Sequence, residues 1–298
     1  MKKRLLSVFL CLCMVFSLVP ATVWAETTNG HTHYLCGGST CNGSVHENET
    51  YKTTFEKEIK QEGNTLKIGG ESWAPTKGSN DTFYILPTGT YYLGSDISLE
   101  YTIKIENNVT LCLNGHKITA ADGMDAIYMT GGSFTLTDCK GVGTITHASS
   151  KTGRGVYVSS GTFNMYGGSI TGNTANSYGG GVYVDGGGFT MSGGTIGGTK
   201  TGETNTATYG GGGVYAKANF EMTGGSITGN NAYKSDYIST FGGGVCVGSG
   251  IFTVSGEVTV TDNTKGGTKG ADGKFTGDTK NNVYLPTGKT ITIGTDKL

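Results

Sequence analysis

A phrase that returns along the chain constrains the fold more than any other feature. GGGVYVDGGGFTMSGGTI spans residues 179–196 and recurs as GVYVSSGTFNMYGGSI (155–170), GVYAKANFEMTGGSI (213–227) and GVCVGSGIFTVSGEV (244–258). A degraded copy, AIYMTGGSFTL, precedes them at 126–136. Within a copy, three short apolar strands follow one another at six or seven residues, as Val182, Phe189 and Ile196 do. Between copies the spacing is uneven, with Val156, Val182, Val214 and Val245 standing 26, 32 and 31 residues apart. The slack falls between the third strand and the next copy. A fixed body with a variable loop at one corner predicts a solenoid, in which each unit buries its apolar face against its neighbours.

The alternation of a strand fixes which side chains point inward. In FNM, FTM, FEM and FTV the middle residues Asn164, Thr190, Glu221 and Thr253 belong outside, so the flanking Phe and Met face the core. The predicted core is therefore Val156, Val158, Phe163, Met165, Ile170, Val182, Phe189, Met191, Ile196, Val214, Phe220, Met222, Ile227, Val245 and Phe252. The same alternation turns Tyr128, Tyr157, Tyr183, Tyr215 and Cys246 outward, one per coil. Asn173, Asn230 and Asn263 follow the third strand in TGN, TGN and TDN, where stacked amides can bond to one another. The copy at Ile196 carries Gly198 and Thr199 there, which predicts an interrupted Asn ladder.

Residues 1–25 read as a secretory signal peptide, with a basic Lys2-Lys3-Arg4 head, an apolar run from Leu5 to Val19 and Val23-Trp24-Ala25 before the cleavage site. Without it, 19 cations face 23 carboxylates, a net charge of about −4, and Arg154 is the one remaining arginine. The scattered lysines argue against a nucleic-acid partner, and no later segment is apolar enough to span a membrane. The 53 glycines recur in register with Val, Phe, Met and Ile, which separates this chain from low-complexity disorder.

Residues 26–72 form a leader and N-terminal cap region. His31, His33, Cys36, Cys41 and His46 lie within 16 positions and offer mixed imidazole and thiolate ligands that suit Zn²⁺. A small Cys36–Cys41 disulfide with solvated histidines is the alternative. Around Phe55 and Ile59 a helix and an alternating strand fit about equally, and either could plug the open end of a solenoid. From residue 73 to 298 the chain reads as all-β: a single-stranded right-handed parallel β-helix with three strands per coil and about eight coils. Asn114-Gly115 could close a hairpin, but the rhythm from Leu111 to Ile118 continues into the clear copies and favours a coil. LPTG at 86–89 and at 285–288 reads as a turn in both places. Cys112 and Cys139 lie one coil apart and leave two readings open, an inter-coil disulfide or two separate thiols.

YYLGSDISL (91–99), VTLCLNGHKIT (109–119), GGSFTLTDC (131–139) and then GGGVYV with FTMSGGTI resemble the right-handed parallel β-helix repeats of secreted and surface, adhesin-like proteins of gut Gram-positive bacteria. More distantly the chain is similar to the pectate-lyase-like superfamily, whose members include polysaccharide lyases, hydrolases and adhesins. The resemblance implies export and a surface role, while fold analogy does not choose among those activities.

Catalysis on such a rod needs converging ionisable groups, such as two carboxylates about 6.5–9.5 Å apart or a base beside a cation. The outward positions of the copies carry Tyr, Asn, Thr and Glu221 instead, and no acid cluster lies beside Arg154 in sequence. Asp122, Asp125 and Asp138 are the best remaining acids and read as turn formers. The expected function is therefore non-catalytic. Tyr128, Tyr157, Tyr183 and Tyr215 would present a face to a glycan or a host protein. A polysaccharide-active enzyme and a structural stalk are the alternatives.

Overall fold

Parallel ladders run the length of the molecule. On the first, Val156, Tyr157 and Val158 pair with Ile127, Tyr128 and Met129 on one side and with Val182, Tyr183 and Val184 on the other. The ladder continues through Val214–Ala216 and Val245–Val247 to Val283–Tyr284. The second stacks Phe134, Phe163, Phe189, Phe220 and Phe252 in register. The third stacks Ile145, Ile170, Ile196 and Ile227. In the last copy Val260, rather than Val258, pairs with Ile227, because an extra residue bulges between the second and third strands. The computed structural model describes residues 31–34, 52–233, 241–270 and 275–294. Residues 1–25, which the sequence reads as a signal peptide, lie outside them.

The chain is thus a parallel β-solenoid, and no helix occurs among the described residues. About five turns make up the solenoid, fewer than the eight coils expected. The difference lies at the ends. Five copies, beginning at Ile127, Val156, Val182, Val214 and Val245, follow the repeated phrase. Before them the ladders continue as shorter layers at Thr82–Ile85 and Ile103–Ile105. After them comes a partial layer, Val283–Tyr284 and Ile291–Ile293.

All fifteen residues expected in the core are buried. The five phenylalanines form one continuous interior column, with successive ring centroids 5.5, 4.8, 4.7 and 4.9 Å apart and nearly parallel planes. The corner between the first and second ladders is turned by glycine in three successive copies and by Ala218 in the next. Gly132, Gly161 and Gly187 have φ of 63°, 86° and 71°, and a Cβ on Gly187 would run into the carbonyl of Gly161.

The loop corner holds a fourth, short ladder that the three-strand reading did not include, Thr174–Ala175, Thr206–Ala207, Asn231–Ala232 and Thr264–Lys265. Beside it the Asn ladder runs without a break. Asn173 Nδ2 donates to Asn205 Oδ1 (2.9 Å), Asn205 to Asn230 (3.0 Å), Asn230 to Asn263 (2.9 Å) and Asn263 to Asn282 (3.3 Å). Asn205 takes the rung expected to be missing, because the loop at 198–204 is an insertion ahead of the rung. His147 Nδ1 meets Asn173 Oδ1 at 2.7 Å and closes the ladder's other end.

At the N-terminal end the segment around Phe55 and Ile59 is strand. Lys57–Glu62 pairs in parallel with Gly89–Leu93 and antiparallel with Thr65–Ile68, which pairs with Glu71–Ser72. Trp73 packs on Tyr84 at 5.1 Å and its Nε1 donates to the Ile85 carbonyl. Asn114 and Gly115 turn with positive φ between two coil faces, and Val109–Cys112 pairs in parallel with its neighbours, so no hairpin forms there.

Candidate functional site

The first ladder brings Tyr128, Tyr157, Tyr183 and Tyr215 into one half-buried column. Tyr128 stacks on Tyr157 and Tyr157 on Tyr183, each at 5.1 Å, with planes 22° and 8° apart. Tyr215 turns edge-on to Tyr183 at 5.5 Å, and Phe83 extends the column beyond Tyr128 at 6.2 Å. Ladder spacing leaves each ring little choice but to lie on the next. The inner rings therefore spend their faces on one another and leave their edges as the partly exposed surface.

Cys246 occupies the next position of the file yet is buried, a departure from the outward exposure expected of it. The backbone of Gly210, bridged to Phe241 of the next coil, closes over it. Burial pushes its thiol up to about 12.

Two ion pairs flank the column. Arg154 Nη1 meets Asp125 Oδ2 at 3.2 Å, its Nε donates to the Tyr178 carbonyl and its Nη2 to Ser177. Its guanidinium lies 5.0 Å from the ring centroids of both Tyr157 and Tyr183. The sequence showed no acid beside Arg154; the structure supplies Asp125 from the preceding coil. On the other flank Asp185 accepts from the Tyr183 hydroxyl (2.9 Å), the Tyr157 hydroxyl (3.3 Å) and Lys217 Nζ (2.7 Å). The bond from Lys217, followed by that from Tyr183, holds the Asp185 carboxyl below the usual aspartate range. Burial and then the bond to Asp185 push the Tyr183 phenol upward. Burial, with Cys246 next, pushes that of Tyr215 up to about 12. All of these phenols stay neutral near pH 7 and can donate or accept hydrogen bonds.

A shallow cavity of about 290 Å³ opens along one side of the column, lined by Asp81, Phe83, Thr102, Asp125, Tyr128 and Tyr157 among others. A larger one of about 500 Å³ lies at the loop corner, between Ser149, Lys151, Thr204 and Lys269, and has no aromatic wall. The three acids considered for chemistry serve turns. Asp138 is buried and accepts the amides of Gly115, Gly143 and Lys140. Asp122 binds Thr152 and Lys151. Asp125 holds Arg154.

Of the five zinc-ligand candidates, Cys36, Cys41 and His46 lie outside the described residues, as does the alternative Cys36–Cys41 disulfide. His31 and His33 fall in the strand His31–Tyr34, which pairs antiparallel with Lys52–Phe55. Sequence reasoning missed Phe83, Asp185 and Lys217. It also missed a second aromatic file, Tyr178, Tyr209 and Phe241, in which Tyr178 lies 4.4 Å from Tyr215. That file was readable as the aromatic residue immediately before the Gly run that leads into Val182, Val214 and Val245.

Fold and strip together define a parallel β-solenoid with an aromatic column on one outer face. No protein-family model, curated protein or solved structure matches the chain. Among the described residues, no helix is long and apolar enough to cross a membrane.

Proposed function

We propose that the chain is an exported, surface-associated, non-catalytic binding module of the pectate-lyase-like kind, adhesin-like in role. It would hold a neutral glycan or a host protein along the Tyr128–Tyr157–Tyr183–Tyr215 strip. The observation that carries this reading is the half-buried column with its charges already paired. Arg154 is balanced by Asp125 and Asp185 by Lys217, so the strip offers hydroxyls, ring edges and a side cavity whose nearest ion pairs are closed. Such a surface suits a ligand that is polar, uncharged and extended, lying beside the rings rather than upon them. Asp122 and Asp138 are engaged in turn hydrogen bonds and Asp125 in an ion pair with Arg154, which supports a binding role over a lyase or hydrolase.

One observation favours a structural stalk as the second reading: the tyrosines stack on one another as the interior phenylalanines do. The test is a binding screen of the mature chain against neutral and acidic glycans and extracellular-matrix proteins, run beside an assay for release of reducing or unsaturated sugars. Binding to a neutral glycan or a matrix protein, with no release, supports the proposal. Release of sugar replaces it with an enzyme, and silence in both assays leaves the stalk.

A further inference from the structure

The Asn ladder ties the coils together only from His147 onward, and the earlier coils are joined at a different corner. There Val109–Cys112 lies in register with Phe134–Thr137, Cys112 facing Thr137, and Cys139 follows two residues later in the turn. Adjacent strands of a parallel ladder lie about 4.8 Å apart, within the span of about 4.4–6.8 Å between Cα atoms that a disulfide bridges. Cys139 stands two residues beyond the register partner of Cys112, and the two side chains lie close enough to interact. The turn that presents Cys139 is firmly held. Asp138 binds the amides of Gly115 at 2.7 Å and Gly143 at 2.6 Å, and the Cys139 thiol donates to Asn114 Oδ1 at 3.4 Å. Both residues stand as thiols in this structure, Cys112 buried and Cys139 partly exposed.

We infer that Cys112 and Cys139 are an oxidation site, closing to a disulfide that staples two neighbouring coils when the chain meets a low-molecular-weight disulfide such as oxidised glutathione. The more exposed Cys139 reacts first. The side-chain interaction with Cys139, and then burial, disfavours ionisation of Cys112, and the partly exposed Cys139 is the thiol that an oxidant in solution meets first. The Cys139 thiolate attacks one sulfur of oxidised glutathione, whose disulfide breaks, and the first glutathione leaves as a thiolate and takes up the proton released from Cys139. Cys112 then gives up its proton and attacks the Cys139 sulfur, and the second glutathione leaves and takes up that proton. Two protein thiols are oxidised and one glutathione disulfide is reduced to two thiols.

The test places the full mature chain in glutathione buffers from fully reduced to fully oxidised. One arm uses folded protein and a second uses protein refolded from denaturant in the same buffers, so that burial of Cys112 cannot conceal the reaction. Thiols are trapped by alkylation under denaturing conditions and the peptides are mapped by mass spectrometry. The expected result is a linked Cys112–Cys139 peptide pair in oxidised buffer in at least one arm, lighter than the reduced pair by two hydrogens, with Cys246 still alkylated. Cys139→Ser should lose the pair while unfolding as the wild type does in reduced buffer. Alkylation of both thiols at every ratio in both arms would overturn the inference. So would Cys139 being joined only to glutathione, Cys36 or Cys41.

Discussion

The solenoid contains two aromatic columns built by one rule. Inside, Phe134 to Phe252 stack at 4.7–5.5 Å; outside, Tyr128, Tyr157 and Tyr183 stack at 5.1 Å. Stacking therefore follows from the ladder register and does not by itself mark a binding surface. What separates the columns is burial and polarity. The phenylalanines lose essentially all contact with water, whereas the tyrosines stay partly exposed and two of them, Tyr157 and Tyr183, tie their hydroxyls to Asp185. On this account the interior column supplies stability and the exterior one supplies contact.

Substitutions can break that comparison, and the largest effect belongs inside. Phe189→Ala should cost about 3–5 kcal/mol in denaturant unfolding, because it opens a cavity between two flanking rings. An unfolding midpoint close to wild type would mean that Phe189 does not sit in a closed column.

Asn205→Ala should come next, at about 1–3 kcal/mol. It removes the acceptor of both the Asn173 amide and side chain, and the donor to Ile170 and Asn230. A neutral result in the same assay would mean that the corner does not depend on a continuous ladder.

Tyr183→Ala should cost less than Phe189→Ala, with the specific ring-stacking part worth about 0.5–1.5 kcal/mol. If both substitutions cost the same, the exterior column is structural and the stalk reading gains.

Asp185→Asn should show the smallest effect, visible chiefly in the pH dependence of stability. Because the folded-state pKa of Asp185 is lowered, its contribution is complete above the ordinary aspartate value of ~3.9. It is lost as pH falls through the lower folded value. Melting curves of wild type and variant should differ above that window and converge below it. A constant difference across the window would remove Asp185 from the account.

How much of this was legible in the sequence depends on whether a feature belongs to the fixed body or to the variable loop. The inward Val, Phe and Met and the outward Tyr follow from alternation inside each copy and stand where alternation put them. Asn205 was not found by counting forward from Ile196, because the loop at 198–204 shifts it. Counting back from the following GGG aligns Asn205-Thr206-Ala207 with Asn173-Thr174-Ala175. Cys246 obeys the alternation but is covered by a neighbouring loop, which a strand pattern cannot report. The pairings Arg154–Asp125 and Asp185–Lys217 join residues at the same place in successive copies, two before Val156 and Ile127 and three after Val182 and Val214, so superposing the copies rather than reading each alone would have found them. The number of turns was overestimated because the layers at both ends share the apolar rhythm without repeating the whole phrase.

The most direct test of the two-column account is equilibrium binding of a wild-type and a Tyr157→Ala/Tyr183→Ala/Tyr215→Ala chain to the neutral glycan or matrix protein that the screen selects, with unfolding measured on the same samples. The account predicts that the variant still unfolds cooperatively and binds at least about tenfold more weakly, a loss of about 1.4 kcal/mol. Undiminished binding by a folded variant would contradict it.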